Sequence, residues 1–497
     1  MTSTLTTGTL GTVTPGSAYD LALQGRQYIG GEWRAASDGA SFPVEDPGRA
    51  ETIVEVADGT LDDCLDAVTA ADEAAAGWAA TPPRQRAEIL RRSFDLMIAQ
   101  KADIARLITL ESGKAYGEAL GEVDYAAEFL RWFSEEAVRA LGNVSTAPSG
   151  DYRIITTLHP VGVSLFVTPW NFPAAMATRK IGPALAAGCT TVLRPAKETP
   201  LTVLAMARVF EQAGVPAGVV NVVTPRSSPA SVAAMMADKR VRKISFTGST
   251  GVGKILLEQA ARRVLRTSME LGGNAPFIVL EDADLDVAVN SAMVAKLRNG
   301  GQSCTAANRF YVHEAVEAEF SSRFAEAMSR VTVGHGLTPG VELGAMVTGQ
   351  ERDGMLALIQ DAHDRGATVA QGGDAVDAPG HFLQPTLLRG VPLDARAMEE
   401  EIFGPVAPVA TFTDIDDVIA RANSVDVGLV SFVQTRDIGN GLAIAERLES
   451  GMVGINRGKV SDPAAPFGGW KESGVGKEGG HEGLLEYLES KYTAVSW

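Results

Sequence analysis

From Leu61 to Leu141, alanine and leucine recur at three- and four-residue spacing, which predicts a run of helices. One of them starts at Pro82-Pro83, where the first helical turn tolerates proline. From Gly162 the pattern changes to short apolar runs alternating with amphipathic stretches. It predicts strands at Val163 to Val167, Thr190 to Arg194, Val219 to Val223 and Val241 to Phe246. Helices are expected between them, at Ala174 to Ala187, Leu201 to Ala213 and Val252 to Ala261. After Gly272-Gly273 a second alternation opens with a strand at Phe277 to Leu280 and a helix near Leu285 to Lys296. It continues through Phe310 to Val312 and reaches about Phe467. Fully apolar strands that alternate with helices imply parallel sheets covered on both faces. The expected class is therefore α/β, with two successive units, a cleft between them and no internal repeat.

A length of 497 residues agrees with two or three domains. The net charge of −17 opposes binding to nucleic acid or to an anionic membrane. No apolar run reaches the ~18 residues that span a bilayer. Met1 to about Ser17 reads as a disordered tail, not a signal peptide, and a cytoplasmic location is expected. The three cysteines are unclustered and the six histidines lack ligand spacing, so neither a disulfide framework nor a metal site is expected.

Cys304 closes the turn Asn299-Gly300-Gly301-Gln302-Ser303. Glycines let a substrate approach the backbone beside the sulfur, and a thiolate is a strong nucleophile. An arbitrary cysteine is more often a packed thiol, as Cys64 and Cys189 are expected to be in their apolar settings. In Thr168-Pro169-Trp170-Asn171-Phe172-Pro173, two prolines pin an amide that suits a developing oxyanion. In isolation it is only a rigid turn. Glu270 ends a strand just before Gly272-Gly273 and suits a general base; alone it reads as a solvated glutamate. Lys243 to Lys254 is a strand, a glycine turn and a helix start, which can bind a phosphate. Ile255 follows Lys254 where a P-loop needs Ser or Thr, which argues against a nucleotide hydrolase. Arg194 and Lys197, at the end of the second strand, suit the extra phosphate of NADP, or are two solvated cations.

Together these segments resemble the aldehyde dehydrogenase superfamily from about Tyr28 onward. The matching pieces are P-W-N-F-P (169–173), F-T-G-S-T (246–250), M-E-L-G-G (269–273), G-Q-S-C (301–304), E-I-F-G-P-V (401–406) and P-F-G-G (466–469). Within the superfamily the chain is most similar to the succinate-semialdehyde dehydrogenases. The resemblance implies a thiohemiacetal and then a thioester on Cys304, with Asn171 and the Cys304 N–H holding the oxyanion and Glu270 activating water. Lys180 matches a lysine near the nicotinamide ribose.

The cofactor would lie along Thr168, Pro169, Trp170, Arg194, Ala196, Lys197, Gly248, Ser249, Gly253 and Leu271, with Glu401 and Phe403 at the nicotinamide end. Arg179, Arg298 and Ser461 match the residues that hold a substrate's distal carboxylate, and Arg457 is a further cation in reach. Arginine suits this because its planar fork pairs with a carboxylate through two hydrogen bonds.

Three positions depart from common family patterns. Arg194 replaces a lysine. Lys197 replaces the glutamate of NAD-preferring members, which argues for NADP with NAD as the alternative. Ala306 replaces a second cysteine, which removes a redox-switching disulfide. The implied fold is two Rossmann-like domains plus a bridging element. Residues 1–17 form the tail, 18–141 with 162–271 the cofactor-binding domain, and 272–470 the catalytic domain. Residues 142–161 and 471–497 form the bridging element, and a homodimer or homotetramer follows by analogy. Three alternatives remain: another semialdehyde or aliphatic aldehyde with NAD, a member acylating coenzyme A (which Glu270 argues against), and an inactive nucleotide-binding relative.

Overall fold

The computed structural model describes residues 25–496, so the expected tail at 1–17 lies outside the described residues. The helical region resolves into Leu61–Ala80, Pro83–Ala99, Lys101–Ser112 and Tyr116–Glu136. Thr60 opens the first with a reciprocal capping box to Asp63, and Pro83 stands at the start of the second.

The first sheet has eight strands. Its parallel centre runs Val220–Val222, Thr191–Arg194, Val163–Val167, Val241–Thr247, Arg266–Glu270 in space. The strand order reverses between Val163–Val167 and Val241–Thr247, which is where a doubly wound sheet opens its binding crevice. The turns after these two strands carry Thr168 to Asn171 and Gly248. The second sheet has seven strands, ordered Thr368–Gln371, Thr386–Arg389, Val406–Phe412, Ala307–His313, Ala275–Val279, Val430–Gln434, Met452–Ile455. Helices cover both sheets, and apolar clusters centred on Phe166 and Phe210 in one and on Phe277 and Phe310 in the other fill the layers.

Both sheets are mixed, where the alternation predicts purely parallel ones. Gln27–Ile29 and Glu32–Arg34 add an antiparallel hairpin to one edge of the first sheet. Its two-residue turn, Gly30 and Gly31 at φ of 62° and 88°, has the twist that hairpins favour. Gly474–Val475 closes the other edge antiparallel to Arg266–Glu270, and Thr368–Gln371 does the same for the second sheet. Short edge strands limit unwanted pairing, and such two- to four-residue pieces carry too little periodicity to read from a sequence. Ser228–Ala237 is a further helix that the pattern did not predict.

A separate three-stranded antiparallel sheet joins Asn143–Thr146, Arg153–Pro160 and Leu488–Val495. Its Val144 and Tyr492 are exposed. From Gly474 to Glu486 the chain lies instead against the first sheet.

Candidate active site

Past the helix Leu285–Leu297 the chain turns sharply. Asn299, Gly300 and Gly301 all have left-handed backbones, with φ of 58°, 63° and 73°. An L-residue pays roughly 1–2 kcal/mol there, asparagine tolerates it best and glycine is free of it. A Cβ on Gly301 would also sit 2.1 Å from the carbonyl oxygen of Gly404. The Asn299 side chain Nδ2 donates to the carbonyls of Asn171 (2.9 Å) and Gln302 (2.8 Å). Its backbone N–H donates to Glu118. The turn thus binds the Asn171 segment and delivers Cys304, half-buried, to the wall of a cleft.

Asn171 is anchored from the other side as well. Lys114 Nζ donates to its carbonyl at 2.7 Å and pairs with Glu122 at 2.5 Å, both buried. Glu122 accepts from the N–H groups of Ala174 (2.9 Å) and Ala175 (3.3 Å), at the start of the helix Pro173–Ala187. Asn171 Nδ2 donates to Gln302 O at 3.2 Å. A primary amide has two N–H donors, so one remains for a ligand.

Glu270 ends its strand buried, and its Oε2 has no hydrogen-bond partner among the described residues. Burial, and then the charge of Glu478, push its carboxyl well above the usual range. Burial also works against ionisation of Glu478, but Lys180 and Arg179 outweigh it and hold that carboxyl below its ordinary value. Lys180 Nζ lies 2.5 Å from Glu478 and 2.9 Å from Ser245 Oγ; Arg179 Nε lies 3.4 Å from Glu478. The two carboxyls are thus pushed in opposite directions, Glu270 towards a higher proton affinity and Glu478 towards a lower one. Burial pushes the Cys304 thiol up to about 12, with Arg179 opposing and Glu401 and Glu270 adding to the rise. Burial likewise lifts Glu401 to about 7, against the Gly273 N–H and Lys296.

A cavity of about 320 Å³ brings together Pro169, Trp170, Asn171, Gly248, Ser249, Glu270, Leu271, Cys304, Glu401 and Phe403. Trp170 and Phe403 meet edge to face at 5.4 Å. Thr247 and Gly272, from the quoted motifs but with no expected site role, and Glu351 complete its wall. The lining fits a dinucleotide. The helix Thr250–Ala261 starts at this wall, and a helix N-terminus favours a phosphate. Gly248 and Gly253 leave no room for a side chain: a Cβ on either would come 2.4 Å from Phe246 or Leu271 respectively. Glu401, which accepts from Gly273 N at 3.2 Å, can take ribose hydroxyls. Lys254 is paired with Glu472 at 2.8 Å on the surface, which removes the P-loop reading.

The remaining expected residues are distributed differently. Lys197 lines a second cavity of about 360 Å³ with Glu198 and Arg226. Arg194 is buried, with Nη2 on Pro225 O at 3.3 Å, so the two cations do not form one surface patch. Thr168 and Ala196 are buried beside them. Arg298 lies over Phe172 (4.8 Å) and Tyr125 (5.8 Å) and lines a third cavity of about 140 Å³. Arg179 is buried against Phe467, 4.2 Å from its ring centre, and faces Glu478. Ser461 is half-buried and Arg457 exposed. Among the described residues no His, Cys, Asp and Glu cluster could hold a metal, and no helix is long and apolar enough to cross a membrane.

Lys114, Glu118, Glu122 and Glu478 were not anticipated. Glu478 carries a local signal, a carboxylate set among Gly476, Gly479 and Gly480; Glu118 and Glu122 sit in ordinary helical sequence and Lys114 in the short link before it, and tertiary contacts alone define all three.

The α/β architecture brings a cysteine, an amide and a buried carboxyl to one cavity at the crevice of a doubly wound sheet, the setting of a nucleotide-dependent dehydrogenase. Residues 33–493 match the aldehyde dehydrogenase family, and the chain belongs to that family. It is 53% identical to the succinate-semialdehyde dehydrogenase of Paenarthrobacter nicotinovorans, over 89% of this chain and 99% of that protein. It is 46% identical to the NADP(+) succinate-semialdehyde dehydrogenase of Escherichia coli K12, over 94% and 97% of the two chains. The crystal structure of an E. coli NADP-dependent enzyme superimposes with a TM-score of 0.95 at 45% identity, covering 96% of this chain and 99% of that one. Pseudomonas putida relatives at 45% and 43% identity are a glutarate-semialdehyde dehydrogenase and a 3-sulfolactaldehyde dehydrogenase, covering 94% and 95% of this chain and 97% of each of theirs. The protein is an NAD(P)-dependent aldehyde dehydrogenase.

Proposed function

We propose that the enzyme oxidises succinate semialdehyde, or a similarly short aldehyde with a distal carboxylate, using NADP. The convergence of Cys304, Asn171 and Glu270 on one cavity carries the chemical part of this reading. Cys304, as thiolate, adds to the aldehyde carbon, and the second N–H of the Asn171 amide stabilises the oxyanion. Trp170, Ser249, Glu401 and Phe403 would hold NADP, which when bound would supply the acceptor for the hydride lost from this carbon. The thioester left on Cys304 is hydrolysed by water that Glu270 deprotonates, and the high proton affinity of its carboxyl suits that task. Lys180 and Glu478 form a charged pair adjoining Glu270 and set its electrostatics. The separate three-stranded sheet supports a bridging role and assembly into dimers or tetramers.

The substrate part rests on Arg298 beside Phe172, with Arg179 deeper in the wall, and on the printed substrates of the relatives. All three named aldehydes carry an acid group away from the aldehyde. The cofactor part rests on Lys197, which adds a cation where a 2′-phosphate would lie. Steady-state kinetics with succinate semialdehyde and butanal, each with NADP and NAD, test both. Higher kcat/KM is expected for the charged aldehyde and for NADP. Equal values for the two aldehydes would sink the substrate assignment, and a preference for NAD the cofactor assignment.

A further inference from the structure

Arg298 and Lys459 reach the same aromatic ring from two parts of the chain. Lys459 Nζ is 5.4 Å from the centre of the Tyr125 ring, and the Arg298 guanidinium carbon is 5.8 Å from it. Arg298 also lies 4.8 Å from the ring of Phe172, the residue next to the oxyanion donor Asn171. Both cations line the cavity of about 140 Å³, together with Phe172 and Asn299. Lys459 is exposed at its rim, on the loop that follows the strand Met452–Ile455.

The charges around this cavity do not cancel. Lys114 and Glu122 are spent on each other at 2.5 Å. Glu118 accepts the Asn299 N–H, and burial pushes its carboxyl up to about 7, which weakens its hold on the cations. Arg179, the other arginine near the substrate path, already faces Glu478. Burial, then Arg298, hold the Lys459 ammonium below its ordinary value; Asp462 opposes this and Arg457 adds to it. Two like charges sharing a partly dry mouth are relieved by an anion placed between them.

We infer that Lys459 is a substrate-binding residue that, with Arg298 across Tyr125, receives the distal carboxylate of the aldehyde and sets the preference for charged substrates. This rests on the proposed carboxylated substrate. The aromatic floor supports the assignment, since Tyr125 and Phe172 hold the cations without neutralising them. A lysine suits the rim because its long stem lets a mobile point charge follow the acid group inward, while the arginine fork fixes it deeper.

The test compares kcat/KM for succinate semialdehyde with that for butanal, the uncharged aldehyde of the same length, in wild type, Lys459→Met and Lys459→Arg. Methionine keeps the stem and removes the charge. The expected result is an about fivefold fall in the charged-to-uncharged ratio for Lys459→Met, carried by KM, on the scale of a partly exposed ion pair. Lys459→Arg should retain the ratio within about twofold. Added salt should lower the wild-type ratio more than that of Lys459→Met. A ratio unchanged in Lys459→Met overturns the inference while leaving the proposed substrate standing. A wild-type ratio near unity would instead overturn the proposed substrate, and this inference with it.

Discussion

Replacing Asn299 separates the two things that residue does for the nucleophile turn. Its side chain makes two buried hydrogen bonds, to Asn171 O at 2.9 Å and Gln302 O at 2.8 Å, and its backbone is left-handed at φ 58°. Asn299→Gly deletes the bonds and keeps the backbone at ease. Asn299→Ala deletes the bonds and also strains the turn. Neither acceptor is orphaned, because Asn171 O keeps Lys114 at 2.7 Å and Gln302 O keeps Asn171 Nδ2 at 3.2 Å. The two bonds are therefore worth about 1 kcal/mol each, and the left-handed backbone adds about 1 kcal/mol for alanine. The expected losses are about 2 kcal/mol for glycine and about 3 kcal/mol for alanine. Urea unfolding followed by tryptophan fluorescence measures the difference, with kcat recorded alongside. Both variants should lose kcat, by roughly tenfold, since Asn171 loses one of its two carbonyl anchors. Equal stability of the two variants would refute the strained-turn reasoning. A kcat unchanged in both would refute the claim that the turn positions the oxyanion donor.

Other consequences follow from the charges. The raised Glu270 carboxyl means that wild type loses stability as pH climbs above the unfolded value of about 4.3, because the unfolded carboxyl ionises first. Glu270→Gln mimics the protonated acid, so its Tm advantage should grow from about pH 5 upward; a pH-independent difference contradicts this. With its thiol near 12, Cys304 should react with iodoacetamide at a rate still rising at about pH 9, and a plateau near neutrality would contradict the buried thiol. Lys197→Glu should cut the affinity ratio of NADPH to NADH by roughly tenfold to a hundredfold in fluorescence titrations, and an unchanged ratio removes Lys197 from the phosphate site.

The helices and central strands were legible because each buries a full stripe or a full apolar run. Val163–Val167 is buried at every position, which is why its pattern is unambiguous. The edge hairpin at Gln27–Arg34 and the Gly474–Val475 pair were not, being too short for periodicity. Around the site, residues with glycine or proline neighbours stood out in the sequence: Cys304, Asn171, Gly248 and the strand-end Glu270 all line one cavity. Lys114 and Glu122 were invisible, because a buried ion pair between a loop and a helix leaves no local trace in either segment. Arg194 and Lys197 were expected to serve an added phosphate or to be two solvated cations; the strand end buries the first and exposes the second.

The proposed oxidation proceeds through a thioester on Cys304 that Glu270 is needed to resolve. Mass spectrometry of Glu270→Gln, mixed rapidly with succinate semialdehyde and NADP, tests it most directly. About one NADPH per site is expected, together with a succinyl adduct on the peptide bearing Cys304. NADPH formed in steady turnover with no adduct on that peptide would contradict it.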